Sequence, residues 1–360
     1  MVASTGAGVL DSDLLYQREA LREVSRTFAL TIPQLPGPLE RVVGNAYLLC
    51  RIADTVEDAA ELDSADKQRF AMRFADVVCG GASAETFAAE LAPKLTGPTP
   101  ATERDLVENT FRVVSLTHSF NGVQREALSR CVRIMSQGMA EFQEAPSLGG
   151  LDDMAHMDSY CYHVAGVVGE MLTALFCEHC RELEGRRERM MELAVSFGQG
   201  LQMTNILKDI WEDRSRGACW LPASVFAARG VSLAEIADPA AAKGFDKALL
   251  ELVGIARGHL ARALEYTLLL PAQEPGLRRF CLWALGMAVL TLRRIASRPL
   301  FTATDQVRIS RWVVRATVVF SSLVVRHDGA LRWTFDRLAK SLPLEPAAYT
   351  RADVSRWHAV

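Results

Sequence analysis

The chain has 360 residues, 49% of them hydrophobic and 23% charged, a composition that supplies ample core for a globular fold. A net charge of −3 gives no general attraction to nucleic acid or to a strongly anionic membrane surface. The eight cysteines (Cys50, Cys79, Cys131, Cys161, Cys177, Cys180, Cys219 and Cys281) are scattered, and no second pair joins Cys177-x-x-Cys180 to complete a zinc set. That pair reads as two small apolar residues of a helix. With no signal peptide pattern at the N-terminus, a reduced, cytosolic setting is expected.

Apolar residues recur with the 3.6-residue period of helices over 13–30, 38–60, 65–78, 104–117, 124–142, 152–182, 187–214, 243–269, 275–297, 305–322 and 328–341. Breakers separate them, among them Pro33-x-x-Pro36-Gly37-Pro38, Gly97-Pro98-Thr99-Pro100, Pro146-Ser147-Leu148-Gly149-Gly150 and the stretch from Pro271 to Gly276. No segment alternates with the period of a strand, and no shift in composition marks a linker. The expectation is one all-α domain over residues 1–360 with its core at about 14–340, and the first and last dozen residues are expected to fray. The longest apolar stretch near the end, Trp312 to Val325, is too short to span a bilayer and is interrupted by Arg315. It is expected to be a buried helix.

Two acidic motifs stand out against this background, Asp54-Thr55-Val56-Glu57-Asp58 and Asp209-Ile210-Trp211-Glu212-Asp213. Each puts carboxylates at i, i+3 and i+4, on one face of a helix, where like charges repel. Each follows an apolar run, 46–50 in one case and Met203 to Leu207 in the other. A single acidic triplet is usually a solvated face. Two of the same shape make physical sense if they face each other and share divalent cations, and hard oxygen ligands suit Mg²⁺. Gln202, Asn205 and Lys208 add polar groups at helical spacing beside the second motif. Around the two motifs lie Ser25-Arg26-Thr27-Phe28, Arg51, Lys208, Arg214 and Arg216. Guanidinium and ammonium groups beside metal-binding carboxylates form a natural diphosphate clamp.

The run Tyr160-Cys161-Tyr162-His163-Val164-Ala165-Gly166-Val167-Val168-Gly169-Glu170 combines tyrosines with small residues that let a helix or a flat ligand approach closely. Ordinary helix packing is its plainer reading, and a core histidine with a backbone partner is the plainer reading of His163. No G-x-S-x-G, P-loop or G-x-G-x-x-G occurs, so hydrolase and nucleotide-kinase chemistry gains no support.

Taken in order, Ser25 to Phe28, Tyr47-Leu-Leu-Cys-Arg51, Asp54 to Asp58, Gly138-Met-Ala-Glu-Phe142, Tyr160-Cys161…Val164-Ala165-Gly166-x-x-Gly169 and Gln202-x-Thr204-Asn205-Ile206-x-Lys208-Asp209-x-x-Glu212-Asp213 resemble the squalene/phytoene synthase family over residues 14–340. The motifs are nearer to the squalene branch than to the phytoene branch, and Phe280-Cys281…Gly286-Met287-Ala288 resembles a segment that lines the reductive half-site there. The resemblance implies an isoprenoid-synthase-type helical bundle around a central apolar cavity, condensing two farnesyl diphosphates through presqualene diphosphate to squalene. Its implied cofactors are Mg²⁺ and NADPH. Asp54, Asp58, Asp209 and Asp213 would hold the metals, with Glu57 and Glu212 in support. Ser25, Arg26, Tyr47, Arg51, Gln202, Asn205, Lys208 and Arg216 would bind diphosphate. Tyr160 would remove a proton during cyclopropane closure, and Phe28 and Phe280 would meet the nicotinamide cofactor.

One departure bears on these roles. The family commonly carries an arginine where this chain has Ala218, which leaves open whether Arg214 or Arg216 touches diphosphate. The resemblance also implies a cytosolic monomer without nucleic-acid partners, with a peripheral membrane contact for product release. The acid motifs serve enzymes that stop at presqualene diphosphate, dehydrosqualene or phytoene as well. The helical fold is also used by non-catalytic assembly factors, which tend to lose these motifs.

Overall fold

The computed structural model describes residues 3–25, 27–142, 147–236 and 238–351. They are helical almost throughout, and a lone bridge between Leu151 and Pro222 is the only extended pairing among the described residues. The all-α expectation holds. Several helices begin and end where the periodicity placed them: Gly37–Asp58, Ser64–Val78, Arg187–Ser215 and Pro275–Ser297.

The chain divides into two compact units, one of Met1–Glu144 with Met171–Arg181 and the other of Ala145–Glu170 with Glu182–Val360. The divide runs through the helix Val167–His179, between Glu170 and Met171, where no change of composition announces it.

In the first unit, Pro36 and Pro38 frame the start of the helix Gly37–Asp58, where a missing N–H costs nothing. Leu39, Val42, Val43, Ala46, Leu49, Ile52, Ala53 and Val56 repeat every three or four residues and are buried. A buried bond from Asn45 Nδ2 to Thr117 Oγ1 at 2.7 Å ties this helix to Thr110–Ser119. The helix expected at 13–30 stops at Val24, because Ser25 Oγ accepts from the Phe28 amide and starts the short turn Phe28–Thr31. The helix expected at 104–117 breaks at Asn109, whose side chain donates back to the Asp105 carbonyl. A helix at Ala84–Leu91, capped by Ser83, lies in a stretch that carried no periodic signal of its own.

The second unit is organised by the long helix Arg187–Ser215, packed chiefly along Phe245–Leu269. Small residues set the distance on its other side. A Cβ added at Gly169 would lie 2.3 Å from the Ala194 carbonyl, and one at Gly198 would lie 2.2 Å from the Ala165 carbonyl. The glycines noted at 166 and 169 are therefore helix contacts, as the plainer reading held. The expected helix 152–182 is interrupted by a π turn at Tyr162–Gly166, between Met154–Cys161 and Val167–His179. Met154–His179 and Pro275–Ser297 are long and apolar enough to cross a membrane, but most of each is buried within the protein.

One expectation fails. The helix Arg311–Val324 was expected to be buried, yet Trp312, Val319, Phe320 and Leu323 are exposed. The periodicity was real but did not say which side faces inward. Ser321 is buried and Thr317 half-buried, and both hydroxyls are satisfied by their own helix, through the carbonyls of Thr317 and Val313 at 2.7 and 2.9 Å. The polar stripe can therefore turn inward and the apolar one outward.

Candidate functional site

The two acid motifs share a placement that the sequence did not reveal. Asp54, Glu57 and Asp58 occupy the last turn and a half of Gly37–Asp58, and Asp209, Glu212 and Asp213 lie near the end of Arg187–Ser215. The C-terminus of a helix carries partial negative charge, so carboxylates are disfavoured there in addition to repelling each other. Folding tolerates this twice in one chain.

In the first unit, burial pushes the Asp54 carboxyl up to about 7, and the neighbouring charges of Asp58 and Glu103 add to the effect against the relief from Arg51. Glu57 is also pushed well above the usual carboxylate range, first by burial and then by Asp58 and Asp54. Its Oε1 is buried without a hydrogen-bond partner among the described residues, and so is Arg51 Nε. A connected set of polar and aromatic groups runs beside the acids. The Phe28 ring lies 5.0 Å from the Tyr47 ring, and the Arg51 guanidinium donates to the Tyr47 hydroxyl at 3.1 Å. Arg51 also lies 3.9 Å from both Asp54 and Glu103, and Thr55 donates to Glu103 at 3.4 Å. The structure thus joins Phe28, Tyr47, Arg51 and Asp54, as the sequence suggested, with Ser25 buried at the head of the Phe28 turn. Ser25 Oγ is already engaged as that turn's cap. Glu103 was missed, because nothing local marks a glutamate 48 residues from its partner. Arg26 lies outside the described residues.

In the second unit, Lys208 Nζ contacts Asp209 at 3.1 Å, while burial and the charge of Glu212 raise the Asp209 pKa. Glu212 and Asn205 are exposed and Gln202 is half-buried on the same helix. Arg214 and Arg216 differ in their surroundings. Arg214 donates to the backbone carbonyls of Leu148 and Ile236 at 3.2 and 3.0 Å, so its guanidinium holds loops together. Arg216 is exposed at the end of the helix.

Tyr160 is 5% exposed, and its ring lies flat on Trp220 with centroids 4.2 Å apart and planes 6° apart. It sits just before the π turn, a distortion that often accompanies functional residues. His163 donates from Nδ1 to the Ser159 carbonyl at 2.8 Å, the core role assigned to it. Phe280 is buried in Pro275–Ser297. A second polar group escaped the sequence entirely. Asp158 is buried, and the Tyr349 hydroxyl stands 3.0 Å from its carboxylate and 3.0 Å from His259 Nε2. Tyr349 has one proton and spends it on the carboxylate, so His259 donates to it through Nε2.

The first acidic motif fits a magnesium diphosphate. Among the described residues no group of three or more His, Cys, Asp or Glu side chains is placed to hold a metal ion by itself. Mg²⁺ asks for no such cage, since it commonly binds through one or two carboxylates, waters and the substrate's own phosphates. The raised Asp54 and Glu57 and the unpartnered Glu57 Oε1 describe buried acids whose charge the neighbouring Arg51 and Lys67 offset only in part.

The squalene synthase BSS of Botryococcus braunii is 29% identical over 285 residues, an alignment covering 78% of this chain and 58% of that protein. The squalene synthase ERG9 of Candida albicans is 28% identical over 296 residues, covering 81% of this chain and 64% of that protein. The chain therefore spans about three-fifths of the length of these relatives. Among solved structures, TcSQS in complex with the ligand BPH1237 superposes with a TM-score of 0.73 at 24% identity, covering 96% of each chain. A dehydrosqualene synthase shares the fold with a TM-score of 0.64 at 19% identity, covering 88% of this chain and 98% of that one. The profile of the squalene/phytoene synthase family matches residues 21–313, and the chain belongs to that family.

Proposed function

We propose that the chain is a squalene synthase, a prenyltransferase that joins two molecules of farnesyl diphosphate through presqualene diphosphate and reduces the product to squalene. The observation that carries this reading is the pair of carboxylate triplets at helix C-termini, one with Asp54 raised to about 7, which the neighbouring basic residues compensate only in part. When bound, Mg²⁺ would neutralise the departing diphosphate, and NADPH would supply the hydride. Asp54, Asp58, Asp209 and Asp213 hold the metal, with Glu57 and Glu212 beside them. Arg51, Lys208 and Arg216, together with Ser25, Arg26, Tyr47, Gln202 and Asn205, bind the diphosphate. Tyr160, buried and stacked flat on Trp220, takes a proton as the cyclopropane closes. Phe28 and Phe280 face the nicotinamide. In this reading the whole chain works as one catalytic domain, a cytosolic monomer that contacts a membrane to release its apolar product.

The test is incubation of the purified protein with farnesyl diphosphate and Mg²⁺, with and without NADPH, followed by extraction into hexane. Squalene should form only with the reductant, and presqualene diphosphate or rearranged alcohols should accumulate without it. Phytoene or dehydrosqualene as the main product, or squalene with no reductant, would leave the family standing and end the squalene assignment.

A further inference from the structure

The chain's charge is distributed unevenly. Between residues 293 and 340 there are ten arginines and lysines against three aspartates, a net +7, so the rest of the chain carries −10 to give the overall −3. Within this basic stretch lies the helix Arg311–Val324, whose outward stripe is formed by Trp312, Val319 and Leu323, exposed by 76%, 60% and 73%. On a helical projection Arg311 and Arg315, both exposed, run along one flank of that stripe. Along the other flank opens an apolar cavity of about 310 Å³, whose lining includes Leu285, Val289, Trp312, Phe320, Leu331 and Phe335. The next helix, Asp328–Ala339, exposes Trp333 by 66%, together with Arg332 and Arg337. Among the described residues the exposed Arg308, Arg311, Arg315, Arg326, Arg332, Arg337 and Lys340 form no ion pair, and the nearby Asp328 is already paired with the buried Arg278 at 2.7 Å.

We infer that this face docks the protein onto an anionic lipid surface, with Trp312, Val319 and Leu323 entering the headgroup boundary, the arginines meeting lipid phosphates and the cavity beside Trp312 receiving an acyl chain. An outward apolar stripe bearing tryptophan and edged by arginine is the pattern of a helix that lies in a membrane interface. Basic groups at that depth are drawn to anionic headgroups and can keep their charge in water. The charge also decides against a second copy of the chain, since two such faces would bring like charges together. The cavity is almost purely apolar, which suits a hydrocarbon tail and offers nothing to a peptide backbone. The inference names the surface for the membrane contact in the proposed function, and its test reads lipid binding alone, so it stands or falls apart from the catalytic reading.

The test is co-sedimentation of the full chain with vesicles of phosphatidylcholine alone and with vesicles containing a large fraction of phosphatidylglycerol, at low and high salt. Binding should require the anionic lipid, weaken with salt, and shift tryptophan emission to the blue. Arg311→Glu with Arg315→Glu should weaken it by roughly tenfold or more. Trp312→Ser with Leu323→Ser should weaken it comparably and reduce the emission shift. Because all four side chains are exposed, melting temperature and far-UV dichroism should not change, and Val319→Ser provides an independent variant if either pair fails to fold. No binding to anionic vesicles, equal binding to neutral ones, or binding untouched by these variants would overturn the inference. So would a concentration-dependent dimer that Trp312→Ser abolishes, which would give the face to a second copy.

Discussion

The Tyr349 hydroxyl lies 3.0 Å from each carboxylate oxygen of Asp158, a residue 191 positions earlier in the chain. It is a partly buried, charge-assisted bond, and the hydroxyl's other neighbour is a buried histidine. Replacing Tyr349 by Phe keeps the ring and leaves the carboxylate short of a donor, at a cost of about 1–3 kcal/mol. Thermal unfolding of Tyr349→Phe should show that loss, with turnover in the surviving folded protein close to wild type.

The same cluster sets a pH dependence. Burial holds His259 down to about 3, helped by the nearby Arg351 and Arg262. Its folded pKa is below its ordinary value near 6.5, so the folded protein binds fewer protons and its stability is fully present above that value. Stability should fall as pH drops from about 6.5 towards 3. Melting curves of wild type and His259→Gln across this range should converge at low pH if His259 is responsible.

Asp54 works with the opposite sign. Its folded pKa of about 7 is above the ordinary carboxylate value, so its contribution to stability is present at low pH and lost as pH rises from about 4 towards 7. Mg²⁺ should therefore stabilise the protein more at pH 8 than at pH 5, where it competes with a proton. Asp54→Asn should melt at least as high as wild type at pH 8 without metal, lose most of its Mg²⁺ response and lose about 10²–10³ in turnover. A variant destabilised at pH 8 yet active would mean that Asp54 is a structural acid.

Tyr160→Phe should retain the stack on Trp220 and with it nearly all thermal stability, while product formation collapses. Equal losses of both would mark the hydroxyl as a structural partner only.

Arg214 and Arg216 should separate cleanly. Arg214→Ala removes two bonds to loop carbonyls and should lower the melting temperature. Arg216→Ala should leave it unchanged and raise the KM for farnesyl diphosphate.

Much of this was legible in the sequence, and for a common reason. Helices announced themselves because the residues that bury one face are neighbours at i+3 and i+4, and the acid motifs were visible because their three carboxylates share one turn and a half. Glu103, Asp158, Tyr349 and His259 escaped because their partners are 48 to 191 residues away and no local pattern records such a meeting. Arg311–Val324 shows a different limit. Its period marks an amphipathic helix, but two hydroxyls that satisfy themselves on their own backbone let the fold turn either side inward.

The Tyr349–Asp158 bond also has a meaning in time. The segment carrying Tyr349 passes so close to Phe245–Leu269 that a Cβ at Gly254 would lie 2.4 Å from the Leu344 carbonyl. A ribosome makes Asp158 long before it makes either of these residues. Until they emerge, the nascent second unit lacks both the hydroxyl that donates to Asp158 and the segment that packs on Gly254. That unit therefore closes late in synthesis, and the interval before closure is when it most needs a chaperone.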